Sequence, residues 1–298
     1  MDLRRGEPIL VQDMAEPRGT SPESWTTDLV FERPGALRRA IKAGILNPLV
    51  NYFPAPILRL ALRLLRSELA ASNWTDPGGW RSMVISYDGE RKRFADRLLC
   101  TLGTIPMALR NRRVLGARIL ARLIDASDQP APHVLCLGAG PGHIITDALL
   151  QCRRREARAT LVDLNADAFT YGRRLAAQKG TGDRVRFVQG DVRDVAGMLE
   201  QPPDVVKMLG ICEYLSDEQV ASIAATVARR MRRGAAMVFN SLSEAHGTDR
   251  FFRRVFRLQM IHRTPGHLQD LMRAAGFTDF SAHAEPLGVY HVIVGRKG

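Results

Sequence analysis

Residues 134–150 read VLCLGAGPGHIITDALL. The run Val134–Leu137 is apolar throughout, as expected of a strand buried on both faces of a sheet. Gly138, Ala139, Gly140, Pro141 and Gly142 follow, and the spacing of Ile144, Ile145, Ala148 and Leu149 predicts a helix over about 142–154. A strand that turns through glycines into a helix brings backbone N–H groups and a helix N-terminus close to a ligand. On its own this pattern has low specificity. A dinucleotide fingerprint would carry G-x-G-x-x-G, and His143 stands where its third glycine belongs.

The segments downstream repeat the strand-then-helix rhythm. HVLCLG, ATLVDL, VRFVQG, DVVKMLG and AAMVFNS read as short strands, with helices expected near 142–154, 166–179, 193–200, 217–232 and 264–275. Such alternation predicts a mostly parallel sheet covered on both faces. The tail, FTDFSAHAEPLGVYHVIVGRKG, offers two strands with no helix between them and reads as a closing hairpin. The strand ends carry chemistry in order. Asp163 closes ATLVDL about twenty residues past the glycines, where a carboxylate accepts hydrogen bonds from ribose hydroxyls. Gly190 and Asp191 follow VRFVQ, placing an acid where an adenine amino group can donate to it. DVVKMLG runs into a loop holding Gly210, Glu213 and Tyr214.

With four strand ends matching in order, residues 115–298 resemble the class I S-adenosylmethionine (SAM)-dependent methyltransferases. The loop GICEYLSD and the later IHRTPGHLQDLMRAAGF are similar to a less characterised bacterial branch of that family. The resemblance implies an α/β Rossmann-like fold, with a seven-stranded, mostly parallel sheet ending in a C-terminal hairpin, and SAM as cofactor. Carried over by position, Gly138, Ala139, Gly140, Pro141 and Gly142 line the methionine part of SAM. Asp163 holds the ribose between Leu164 and Asn165. Asp191, with Gly190 and Val192, holds the adenine, and Gly210 is counted among the SAM-binding positions. One position departs from the family pattern. Cys136 stands two residues before the first glycine, where the family usually has an acid that helps to hold the SAM ammonium.

The first part of the chain has a different character. Residues 1–33 are rich in Pro, Gly, Ser, Thr and Glu and read as a loosely ordered arm, which Trp25 and Phe31 could pin to the body. Residues 34–114 read as a helical extension or lid, and 115–298 as the SAM-binding domain. Pro48, Pro54 and Pro56 are expected to break 35–72 into at least two helices, and SNWTDPGGWRS to make a turn around Asp76–Gly79. Further helices are expected over about 88–102 and 106–126. In PILRLALRLLRS, Ile57, Leu58, Leu60, Leu62, Leu64 and Leu65 form a wide apolar face opposite Arg59, Arg63 and Arg66. Packing of that face on the core is the favoured reading, and a basic helix lying on a membrane the alternative.

The chain has 298 residues, 45% of them hydrophobic, and a net charge of +12 supplied almost wholly by arginine. Genome composition explains such an excess when it is spread evenly, and an acidic partner is the competing explanation. No RNA-binding motif or aromatic-interleaved basic patch is present, so nucleic acid is not expected as a partner. Cys100, Cys136, Cys152 and Cys212 form no C-x-x-C pair and read as reduced, buried thiols of a cytoplasmic protein. The opening MDLRRGEPILVQDMAEP has no apolar core segment, so a secretion signal is not expected. No apolar run approaches the roughly 18 residues of a bilayer span.

Methyl transfer requires in-line alignment of the reacting atoms and, for a protonated nucleophile, a base. Glu213 is the candidate base or substrate anchor, with Tyr214 beside it. Tyr87 and Trp80 of the helical extension are candidates to close over the sulfonium by cation–π contact. His262 and His267 have no metal-site spacing, no metal is expected, and His267 reads as a residue at a helix N-terminus. The expected activity is methylation of a small molecule, as in secondary metabolism. Cys136 motivates an alternative, similar to the azetidine-2-carboxylate synthases, in which the 3-amino-3-carboxypropyl chain of SAM reacts and methylthioadenosine leaves. A catalytically inactive SAM-binding or basic nucleic-acid-binding protein is the third reading.

Overall fold

The structure is a computed structural model that describes residues 28–88 and 93–298; Trp25 and most of the N-terminal arm lie outside the described residues. Seven strands form one sheet in the order β3-β2-β1-β4-β5-β7-β6. They are β1 (His133–Leu137), β2 (Arg158–Asp163), β3 (Val185–Gln189), β4 (Val205–Met208), β5 (Ala236–Leu242), β6 (Phe277–Ala284) and β7 (Tyr290–Lys297). The first five are parallel. β7 runs antiparallel between β5 and β6, as the tail predicts. The strand order reverses between β1 and β4, and in open α/β sheets the crevice at that point takes the ligand.

Alternation along each strand divides the core in two. Val134, Cys136, Val205 and Val238 face a layer built with Leu115, Ile119, Ile145 and Leu149. Leu135, Leu137, Val206 and Phe239 face the opposite layer, built with Val220, Ile223, Leu268 and Met272. The first layer belongs to α7 (Thr104–Asp125) and α8 (His143–Gln151), with α9 (Ala166–Gln178) beyond; the second belongs to α10 (Asp217–Ala228) and α12 (Pro265–Ala274). The expected helix over 193–200 is a 3-10 segment, Val192–Met198, which Asp191 caps through the N–H of Arg193.

The N-terminal helices are α1 (Ala36–Ile41), which continues through a π-helical stretch (Lys42–Leu46) into α2 (Asn47–Tyr52), then α3 (Ala55–Leu64), α4 (Glu68–Thr75), α5 (Trp80–Asp88) and α6 (Phe94–Leu102). Pro48 does not break the first helix: it follows directly on the π-helical stretch, where the regular helical ladder is already interrupted. The turn around Asp76–Gly79 is shorter than the sequence suggested. α4 runs through Ser72–Thr75, α5 (Trp80–Asp88) is a helix the sequence reading did not expect, and the helix expected over about 88–102 is α6 (Phe94–Leu102). The expected boundary at 114/115 falls in the middle of α7, so the helical cover and the sheet share one 22-residue helix. Leu29 and Phe31 pack on the sheet core, and Glu32 pairs with Arg110 of α7.

The reading of α3 is corrected. Leu58 and Leu62 pack on Phe251, Val255 and Phe256, beside the short α11 (Asp249–Phe251) and the π-helical turn after it. Ile57, Leu60, Leu64 and Leu65 remain exposed. The reason is geometric: one flank of α3 has a partner, and the wide face exceeds what that partner covers.

Candidate active site

At the C-terminal ends of β1, β2 and β4 lies a cleft of about 1000 Å³. Its floor is the turn after β1. Gly138 and Gly140 both adopt positive φ. A Cβ on Gly138 would stand 2.1 Å from Ile211 Cγ2, so that glycine serves packing. A Cβ on Gly140 would meet nothing nearer than Trp80 Cβ at 3.7 Å, so this backbone faces open cleft. Asp163 Oδ2 accepts the Gly140 N–H at 2.7 Å and Oδ1 accepts that of Asn165 at 3.0 Å. A carboxylate has about four lone-pair sites, so both oxygens can still accept hydroxyl donors.

Ala139, Pro141, Gly142, Leu164, Asn165, Asp191, Val192 and Gly210 also line the cleft, as the sequence implied. Gly190 does not. Its N–H bonds to the Asp163 carbonyl, and it packs against Met198. Asp191 accepts from the Arg193 side chain and backbone, and Arg193 holds its carboxyl below the usual carboxylate range.

Helix α5 covers the cleft. Trp80, Met83 and Tyr87 line it, and the ring of His143 lies between Tyr87 at 5.5 Å and Tyr171 at 5.8 Å. Two cations that sequence reasoning missed complete the wall. Lys207 of β4 is 4% exposed, sits in register with Cys136 of β1 and donates to the Leu209 carbonyl at 3.1 Å. Burial lowers its pKa, and burial pushes the Cys136 thiol up to about 12. Where the family places an acid, this site therefore has a neutral thiol beside a lysine. A lysine in the middle of the otherwise apolar DVVKML was the available signal.

The second cation is Arg112 of α7, which is 1% exposed. It donates to Glu213 Oε1 at 3.2 Å and to the Tyr87 hydroxyl at 3.4 Å, lies 4.4 Å from the centre of the Tyr290 ring, and leaves its Nε without a partner. Glu213 Oε2 accepts from Asn240 at 3.3 Å, while Asn240 Oδ1 accepts the Gly210 N–H at 2.7 Å. Arg112 thus joins two of the three catalytic candidates directly. No local pattern distinguishes it among the other arginines of α7.

Tyr214, the third, stands between the cleft and a second, mainly apolar cavity of about 220 Å³ beneath the helical cover. The two spaces share Gly78, Met83, Gly210 and Tyr214. Tyr214 is 41% exposed overall, but desolvation of its hydroxyl end, with the Glu213 charge next, raises its pKa, so the hydroxyl stays protonated and is available as a donor. Leu98, Leu102, Leu109, Phe252 and Leu258 line the apolar cavity, and Glu213 borders it.

Away from the cleft, His246, Asp249 and His262 come within 4.8 Å of one another, a grouping not apparent from sequence. The Thr248 N–H donates to His246 Nδ1, which leaves the proton on Nε2, facing His262 Nε2 at 3.2 Å. The two rings thus bond to each other. His267 lies in the first turn of α12 and pairs with Asp217 at 2.7 Å.

Residues 134–234 match the family model described as a methyltransferase domain. Over that segment, and in the strand order of its sheet, the chain is similar to the class I SAM-dependent methyltransferases. SAM is the cofactor of this family, and the open Gly140 backbone, the free lone pairs of Asp163 and the two cations fit it. A release factor glutamine methyltransferase of Chlorobaculum tepidum is 41% identical over 75 residues, 25% of this chain and 24% of that protein. A tRNA 5-carboxymethoxyuridine methyltransferase of Escherichia coli is 27% identical over 114 residues, 38% of this chain and 41% of that protein. The chain thus spans well under half the length of these curated relatives. The fold of magnesium protoporphyrin IX methyltransferase from Synechocystis, solved with bound S-adenosylhomocysteine, superposes with a TM-score of 0.55 at 12% identity. That match covers 80% of this chain and 99% of that chain.

Proposed function

We propose that this protein transfers the methyl group of SAM to a small, largely apolar acceptor. The observation that carries the reading is the 220 Å³ apolar cavity, which meets the SAM cleft at Gly78, Met83, Gly210 and Tyr214. An acceptor lodged there is screened from water by the N-terminal helices, in keeping with a small molecule rather than a polymer. A setting in secondary metabolism is part of this proposal.

Bound SAM supplies an electrophilic methyl on a sulfonium. The chain's own residues position it: Asp163 accepts from the ribose, Asp191 and Val192 border the adenine, and Lys207 with Arg112 faces the methionyl carboxylate. Tyr214 donates a hydrogen bond to the acceptor. Glu213, with two of its about four lone-pair sites engaged, takes the acceptor proton. Arg112, itself bonded to Tyr87, holds Glu213 in place.

The pairing of Cys136 with Lys207 favours a second reading. Cys136 stands where an acid would hold the SAM amine, and Lys207, its pKa lowered by burial, lies in register beside it and would accept the amine's proton. The amine nitrogen would then bond to the γ-carbon as the C–S bond breaks, releasing methylthioadenosine and azetidine-2-carboxylate. Incubation with SAM, with and without a panel of apolar hydroxyl and amine acceptors, tests both. S-adenosylhomocysteine formed only with an acceptor supports methyl transfer. Methylthioadenosine from SAM alone supports the second reading, and neither product refutes both.

A further inference from the structure

We propose that the outer face of α1–α3 is a docking surface for an anionic lipid bilayer. Leu37, Ile41, Ile45 and Leu49 recur every four residues along the first helix and are all exposed, Leu37 by 74%. Ile57, Leu60 and Leu64 of α3 are exposed as well, Leu64 by 74%. Phe94 and Leu98 are exposed on α6, which the first helix grips through Lys42 to the Leu102 carbonyl and through Arg38 to the Thr101 carbonyl. Exposed apolar side chains in this number, recurring along neighbouring helices, mark an interaction site.

Charge identifies the occupant. Residues 33–67 contain seven basic side chains and no acidic one. Arg39, Arg63 and Arg66 are exposed, and Arg97 is exposed on α6. A second copy docked on the same face would bring two wholly basic surfaces together with no acid to offset them. Anionic headgroups neutralise such a rim while the acyl boundary takes the leucines and isoleucines. Among the described residues no helix is long and apolar enough to cross a membrane, so the contact is peripheral. Leu98 belongs both to this face and to the wall of the apolar cavity, so the bilayer would lie against the cavity's outer side.

The test is flotation of the full chain with phosphatidylglycerol vesicles and with phosphatidylcholine vesicles, beside light scattering of the protein alone. The variant Ile41→Glu/Ile45→Glu/Leu60→Glu/Leu64→Glu alters only exposed side chains, and its fold is checked by circular dichroism and S-adenosylhomocysteine binding. The expected result is binding to the anionic vesicles about tenfold tighter than to the neutral ones, lost in the variant while S-adenosylhomocysteine binding persists. No flotation, equal binding to both vesicle types, or binding retained by the variant overturns the proposal. So does a wild-type dimer that the variant converts to monomer, which would assign the face to a second copy.

Discussion

Replacing Glu213 with Gln tests whether the Arg112–Glu213 pair is the electrostatic centre of the site. The two side chains are 1% and 3% exposed and 3.2 Å apart. At an effective dielectric of about 20, their attraction at 3.2 Å is about 5 kcal/mol. Glutamine keeps the shape and the bond from Asn240 but removes the charge. Arg112 then bears its desolvation cost without a counter-charge, a loss of about 3–5 kcal/mol when one partner of a buried pair is removed. The Tyr290 ring face and the Tyr87 hydroxyl soften the penalty, which puts the expected loss near 3 kcal/mol. Urea unfolding at neutral pH measures it. Arg112→Met in the same chain removes the orphaned charge and is expected to recover at least about half the loss. A loss below about 1 kcal/mol, or a double variant as unstable as the sum of the singles, refutes the reasoning.

Three further outcomes are expected. Asp163→Ala removes the acceptor that orients the Gly140 turn, so S-adenosylhomocysteine affinity measured by titration calorimetry falls at least about tenfold, since a hydrogen bond to a charged group contributes about 1.5–3 kcal/mol. Lys207→Gln weakens the same ligand about tenfold by that reasoning, and unchanged affinity would mean that Lys207 does not meet the methionyl end. His246 and His283 are held neutral by burial, each with its pKa lowered to about 4. The unfolded chain binds these protons from about pH 6.5 downward. Their contribution is intact above pH 6.5 and is lost as pH falls towards 4, by up to about 3 kcal/mol each. Unfolding midpoints that stay flat over this window refute the assignment.

Much of the fold was legible because its signals are local. The apolar run 134–137, the glycines after it and the acids at 163 and 191 encode strand, turn and strand end within a few residues each. Boundaries moved where a local signal had two outcomes. Pro48 would break a regular helix interior but is accommodated where the ladder is already interrupted, and only the π-helical stretch before it decides which applies.

The sequence by itself determined the strand-and-helix alternation, the turn that faces a ligand and the acids at the strand ends. Backbone conformation and side-chain periodicity act over neighbouring residues, which is why these features could be read directly. The tertiary structure alone decided the rest. Arg112 meets Glu213 across 101 residues, Lys207 meets Cys136 only through the pairing of β1 with β4, and α3 turns most of its apolar face to solvent. Such adjacencies depend on which elements pack together, and no short-range pattern carries that information.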